Sequence, residues 1–343
     1  MNRKIFLAYD YYILKDGTIQ YGVTDILVEF LKKNKIQYKT HAIEINPSLK
    51  SLLNKFKILG NDIKNSEIDI FIGYNFINAF YGIINRFIYR KKFKVIFVAV
   101  DFSKQRFKNF ILNQIYIFMD YFVSKISDET WNCSSRVFEY RSNFLEKNKN
   151  YYLPNIPNYP KENLEKFENF TIVMISFLNE NYQFEEVYDL FSYLQKNDIK
   201  MLIIGDGDRK DEIQNEIDKR GLSEKVKLTG YLNHLEIRKI LERSHLGLAL
   251  YGGKESYNFW GDSMKIREYT YYELPCITTK NVNNYKEVLN KSIGVCLEDF
   301  SSLTEAIKYF YENKNNFKEV VNNCKNYNLE FQMDRLFKER LFK

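Results

Sequence analysis

Short apolar runs alternate with amphipathic stretches along most of this chain, the pattern of parallel-sheet strands joined by helical crossovers. In the first half, strands are predicted at Lys4–Tyr9 and near Gln37–Ile43, Asp69–Gly73, Lys94–Val100 and Thr130–Ser134. Helices are predicted at Gly22–Lys35, with an apolar face of Val23, Ile26, Leu27 and Phe30, and near Asn75–Arg90, Phe107–Phe122 and Ser135–Leu145. From Leu153 to Glu168 the chain carries Pro154, Pro157 and Pro160 among Asn and Lys, which reads as a linker. A second alternation comes after it: strands Thr171–Ser176, Lys200–Gly205, Lys225–Leu228, His245–Tyr251, Cys276–Thr279 and Ile293–Leu297. Between them lie helices Phe184–Lys196, Asp208–Arg220 and Leu235–Arg243, one holding Lys265 and Glu268, one near Tyr285 and one from Leu303.

The pattern predicts an α/β protein of two Rossmann-like domains facing a central cleft. Residues 1–153 would form the first domain, 154–168 the linker and 169–315 the second, with 316–343 a helix packing back toward the first. A length of 343 residues suits two cores better than one.

Composition narrows the chemistry. Apolar residues make up 45%, enough to fill both cores, and the net charge of +7 comes from 51 basic and 44 acidic side chains. That balance points to basic patches on a globular protein, and no nucleic-acid partner is expected. Cys133, Cys276, Cys296 and Cys324 form no C-x-x-C pair, and three histidines are too few for a multi-histidine site, so no metal is expected. The opening residues hold too short an apolar run for a signal peptide. No stretch reaches the roughly eighteen apolar residues of a span, so a cytoplasmic protein is expected, with peripheral contact at the inner face of the membrane.

In open parallel sheets ligands sit beyond the carboxyl ends of the strands, so the residues just past each strand are the candidates for chemistry. Lys265 and Glu268 lie three apart, on one helix face: an ammonium for a phosphate and a carboxylate able to accept two hydroxyl hydrogen bonds. A sugar nucleotide offers both groups; the ordinary alternative is an exposed i,i+3 ion pair. Gly205-Asp206-Gly207-Asp208-Arg209 puts two glycines between a strand and a helix start, where bare backbone approaches a ligand or simply turns tightly. Thr229-Gly230-Tyr231 ends another strand with a backbone edge and a ring that could stack on a base, or with a plain turn. The loop from Tyr251 to Gly261 contains Gly252, Gly253, Glu255 and Trp260, a composition suited to a segment covering a sugar.

In this order the motifs resemble the donor domain of GT-B glycosyltransferases, in particular the large retaining family 4. Gly205-Asp-Gly207, Thr229-Gly230-Tyr231, Ser244-His245, Lys265-Ile-Arg-Glu268-Tyr269 and Leu274-Pro275-Cys-Ile-Thr match that family over roughly residues 170–300. The resemblance implies a nucleotide-sugar substrate, UDP- or GDP-linked, and no separate cofactor. It implies donor binding by Gly205, Asp206, Gly207, Gly230, Tyr231, Ser263, Lys265, Glu268 and Tyr269, with Glu268 on the ribose hydroxyls and Lys265 near the phosphates. Lys265, Arg209 and Asp101 are the expected catalytic residues, and Gly252, Gly253, Glu255 and Trp260 the donor loop. Retention by front-face attack, without a covalent nucleophile, is implied in the same way.

The departures are informative. The strand-end Gly-Arg and following Lys-Gly of many relatives are replaced here by Ile175-Ser176-Phe177-Leu178-Asn179-Glu180, so the diphosphate clamp is altered. The first glutamate of the usual pair falls at Trp260, leaving Glu255 as a substitute, and a frequent His-Asp is Val100-Asp101. In the first half, the turn holding Gly17 and Gly22 lies where this fold meets donor phosphate or acceptor, and Tyr152-Leu-Pro154-Asn155 resembles the close of the first domain.

The basic-aromatic run from Arg86 through Lys94, continued to Lys108 and Phe110, could rest on anionic lipid headgroups or be a solvated helix end running into a strand. The expected acceptor is a glycan or lipid-linked glycan in bacterial surface polysaccharide synthesis, such as capsule or O-antigen. Two other readings stand beside it: a non-catalytic nucleotide-sugar-binding partner that lost its clamp, and a sugar-nucleotide epimerase of the same fold.

Overall fold

The structure, a computed structural model, describes residues 3–13, 19–21, 24–44, 49–154, 157, 161–179, 185–252, 257–330 and 333–342. The chain divides into two compact units, one of residues 1–155 with 333–343 and the other of residues 156–332.

The first unit runs β1 (Ile5–Ile13), β2 (Ile19–Tyr21), α1 (Thr24–Lys33), β3 (Tyr38–Glu44), α2 (Leu49–Asn65), β4 (Ile70–Tyr74) and α3 (Phe76–Ile88). It continues through β5 (Lys94–Ala99), α4 (Phe110–Ile126), β6 (Glu129–Asn132), α5 (Ser135–Arg141) and β7 (Asn150–Tyr152). Six parallel strands lie in the order β3-β1-β4-β5-β6-β7, and β2 adds an antiparallel hairpin at the end of β1. Every residue of β4 and five of six in β5 are buried, as strands covered on both faces require.

Helix α2 is an element the apolar pattern did not predict. Its interior Gly60 disfavours a helix in isolation, yet a Cβ there would lie 2.8 Å from Asn85 Oδ1 of α3, so the glycine permits close helix–helix approach.

The second unit contains β8 (Phe170–Ile175), α6 (Glu185–Lys196), β9 (Ile199–Ile204), α7 (Lys210–Lys219), β10 (Val226–Gly230) and α8 (His234–Arg243). Then come β11 (Leu246–Ala249), a 3-10 turn at Tyr257–Trp260, α9 (Met264–Tyr271), β12 (Cys276–Thr279), α10 (Tyr285–Asn290) and β13 (Gly294–Leu297). A second 3-10 turn at Phe300–Ser302, α11 (Leu303–Glu312) and α12 (Lys314–Glu330) complete it. Its all-parallel sheet has the order β10-β9-β8-β11-β12-β13. Numbered within the unit this is 3-2-1-4-5-6, the Rossmann order, with the reversal between β8 and β11. The fold is therefore α/β with two Rossmann-like domains.

The terminal stretch 316–343, expected as a single helix returning to the first domain, forms two. Helix α12 stays in the second unit, where Cys324 and Tyr327 are buried in its core. Helix α13 (Met333–Leu341) belongs to the first unit, where Phe337 packs 5.2 Å from Phe30 and 6.4 Å from Trp131, and Arg340 lies 4.0 Å from the Tyr151 ring.

Candidate active site

The carboxyl ends of β8, β9, β10 and β11 and the start of α9 meet at the reversal point of the second sheet, the position where open α/β sheets bind ligands. Helix α9 is fixed there by three devices. Ser263 caps it, its hydroxyl accepting from Ile266 N and lying 2.6 Å from the Tyr251 hydroxyl. The buried Asn284 accepts from Ser263 N at 2.8 Å and donates to Ser263 O at 3.1 Å. Arg267 pairs with Asp262 at 2.6 Å, both almost fully buried, and lies 3.3 Å from Glu287, which also accepts from the Tyr327 hydroxyl at 2.5 Å.

Held on this frame, Lys265 and Glu268 are partly buried. Burial pushes Glu268 up to about 7, against the pull of Lys265 and Arg238. Burial also brings Lys265 down to about 8, opposed by Glu268. The Lys265 ammonium sits 5.1 Å from the centre of the Tyr251 ring. Among the described residues the Glu268 carboxylate has no hydrogen-bond or ion-pair partner, so its oxygens keep their capacity to accept. A desolvated carboxylate and ammonium one turn apart destabilise an empty fold and suit a ligand that brings hydroxyls and phosphate.

Tyr269, expected among the donor contacts, is a strut instead. Its side chain is fully buried; the hydroxyl donates to Leu248 O at 3.0 Å and accepts from Ile175 N at 3.1 Å, tying α9 to β11 and β8. Gly247 makes room for it, since a Cβ there would meet the Tyr269 ring at 2.3 Å. Tyr269→Phe is expected to lower stability by roughly 1–3 kcal/mol, the cost of two orphaned backbone groups, with nucleotide affinity little changed. Urea unfolding and calorimetric titration of one preparation would test both halves.

The glycine turn is also used differently from the expectation. A Cβ on Gly205 would lie 1.8 Å from Ser176 O, and one on Gly207 2.3 Å from Leu178 O, so both glycines serve close backbone packing of the segments that follow β8 and β9. The turn's N–H groups are largely spent within the protein: Gly205 N on Gly230 O, Gly207 N on Asp206 Oδ1, Arg209 N on Leu178 O and Lys210 N on Gly207 O. Arg209, expected to steady a leaving group, places its guanidinium on Glu212 of its own helix at 2.6 and 2.9 Å. Lys210, which no motif in the sequence marks, brings a cation to the turn. Its ammonium is 3.6 Å from Asp206 and would be 3.2 Å from a Cβ on Gly230. Gly230 has φ +73°, a left-handed conformation suited to glycine, and Tyr231 beyond it is exposed.

Gly252 is buried three residues beyond β11, and Trp260 is partly buried, edge-on to Phe259 at 5.8 Å. Gly17, Gly22, Gly253 and Glu255 lie outside the described residues. Asp101 belongs to the first unit, where it is ion-paired with Arg106. Tyr251 and Arg238 complete the group around Lys265 and Glu268. Arg238 carried no local signal, because it reaches the site only through the packing of α8, whereas Tyr251 opens the loop that the sequence marks. No group of His, Cys, Asp and Glu suited to a metal ion occurs among the described residues.

A family model described as "Glycosyl transferases group 1" matches residues 155–330, just over half of the chain. Among solved structures, HepE of Anabaena in complex with UDP and glucose superposes with a TM-score of 0.71 at 15% identity over 99% of each chain. A glycosyltransferase from Rickettsia africae ESF-5 gives 0.71 at 16% over 100% of each. WaaG, a glycosyltransferase involved in lipopolysaccharide biosynthesis, gives 0.64 at 11% over 98% of each. At these identities the likeness is one of fold. No curated protein sequence matches the chain.

Proposed function

This chain belongs to the glycosyl transferases group 1 family and is a glycosyltransferase, and from that premise we propose that it takes its sugar from a UDP- or GDP-linked donor held at the Lys265/Glu268 site. The acceptor in this reading is a glycan or lipid-linked glycan of bacterial surface polysaccharide, capsule or O-antigen among them. The observation that carries the donor site is a desolvated ammonium one helical turn from a desolvated carboxylate that accepts no hydrogen bond among the described residues, both at the sheet reversal. UDP bound to HepE, a protein of the same fold, supports the uridine nucleotide.

Glycosyl transfer builds positive charge on the sugar and negative charge on the departing diphosphate. Lys265, with its proton held at Nζ, offsets the diphosphate charge, and Glu268 accepts from the ribose hydroxyls to set the donor's register. Lys210, rather than Arg209, supplies the second cation, since its 3.6 Å pair with Asp206 is looser than the two-point grip of Glu212 on the Arg209 fork. The route is front-face transfer with retention, without a metal or a covalent intermediate. Incubation with a panel of sugar nucleotides tests the reading: transfer or slow hydrolysis of one donor supports it. Conversion of the sugar, or binding without reaction, would replace it by an epimerase or a binding partner.

The two shifts define a pH window. Glu268 accepts hydroxyls as a carboxylate, above about 7, and Lys265 meets phosphate as an ammonium, below about 8. Donor affinity is expected to peak between these values and to fall on both sides. In Glu268→Gln the acid limb should vanish while the alkaline limb stays; an unchanged acid limb would assign it to another group.

No helix among the described residues is long and apolar enough to cross a membrane. We propose a peripheral contact with anionic membrane through Arg86–Lys108, the run that presents Arg90, Lys92, Lys104 and Lys108 to solvent.

A further inference from the structure

Helix α4 is built inside-out for a protein surface. Its inward face is largely polar: Asn113, Tyr116, Asp120, Val123 and Ser124 are the buried residues. Asp120, the helix's one carboxylate, is consumed by a bidentate pair with Arg141 at 2.6 and 2.7 Å, both groups almost fully buried. Asn113 donates to Lys104 O at 2.6 Å, and Ser124 to Asp120 O at 2.7 Å. The outward face carries Ile111, Ile115, Phe118 and Phe122, spaced four, three and four apart and therefore one stripe along the helix. Phe110 is 74% exposed and Phe118 61%. On the neighbouring helix α3, Phe87 is 86% exposed.

We infer that the outward face of α4 docks on an anionic lipid bilayer, inserting its apolar stripe among the headgroups. The inference deepens the peripheral contact proposed above, on which it rests for the sign of the lipid charge. Charge distribution selects a bilayer over a protein. The exposed face of α4 holds no carboxylate, and Lys125 extends it at one end while Lys104 and Lys108 flank the other. Three of the nearby acids are neutralised: Asp101 by Arg106, Asp128 by Arg86 and Asp120 by Arg141. A lipid surface of negative charge matches a basic rim around a mainly apolar centre, interrupted by the uncharged Gln114. Protein interfaces instead mix such a centre with hydrogen-bonding anchors.

The test is co-sedimentation of the full chain with vesicles of phosphatidylcholine alone and of phosphatidylcholine with phosphatidylglycerol. The parent should bind the anionic vesicles alone, and Ile115→Glu with Phe118→Glu should reduce that binding by about tenfold or more. Both positions are exposed, so the double variant should melt and bind nucleotide as the parent does. Tryptophan emission of Phe118→Trp should shift to the blue on anionic vesicles. Failure of the parent to bind either vesicle overturns the inference together with the basic-run contact. If the double variant binds normally and Lys92→Ser with Lys108→Ser does not, the helix-face inference fails and the basic-run contact stands. A parent dimer in light scattering that the double variant dissolves, with no vesicle binding, would make the face a self-interface and also overturn it.

Discussion

Glu268→Ala is expected to weaken nucleotide-sugar binding by roughly 100-fold or more and to leave the fold intact. Two charge-assisted hydrogen bonds from ribose hydroxyls are worth about 1.5–3 kcal/mol each, and each 1.4 kcal/mol is a factor of ten. The fold should tolerate the change because the carboxylate accepts no hydrogen bond among the described residues and burial, which pushes it up to about 7, outweighs the pull of Lys265 and Arg238. Removing it takes away an unfavourable desolvated charge. Calorimetric titration with the nucleotide, beside a thermal melt, reads both quantities. Parent-like affinity would remove Glu268 from the donor site, and a collapsed melt would make it a structural residue.

Lys265→Met should act mainly on the chemical step, lowering kcat by about 100- to 1,000-fold, the usual cost of deleting one preorganised group that meets developing charge. The ammonium is brought down to about 8 by burial, which makes it costly to the empty fold and effective once a diphosphate is bound. Lys265→Arg keeps the charge but carries a planar fork into a place beside the Tyr251 ring, so it should restore only part of the rate. Steady-state kinetics that separate kcat from KM decide the matter: a loss confined to KM would mean uniform donor binding by Lys265.

Neighbouring residues on the same helix behave in the opposite way. Arg267 and Tyr269 flank Glu268 in sequence but face inward, one paired with Asp262 and Glu287, the other bridging β8 and β11. Helical geometry sends Lys265 and Glu268 to one side, and the frame residues supply the rigidity that a preorganised site needs.

The alternation of apolar runs determined the α/β class, the two Rossmann-like halves and most strands, because parallel strands buried on both faces leave a short continuous apolar signature. The i,i+3 spacing likewise determined that Lys265 and Glu268 share a face. Tertiary structure alone decided which glycines serve packing. Gly205 and Gly207 read as ligand-facing in one dimension, yet each leaves space for a carbonyl of the 176–178 segment. Nor does local sequence record that α4 turns its polar side inward to meet Arg141, whereas the Arg209–Glu212 and Lys210–Asp206 pairs, three and four residues apart, are local. A residue's own neighbours fix its backbone preference and the face it occupies. What that face meets is fixed by distant segments brought together in the fold, and there desolvation and pairing are settled.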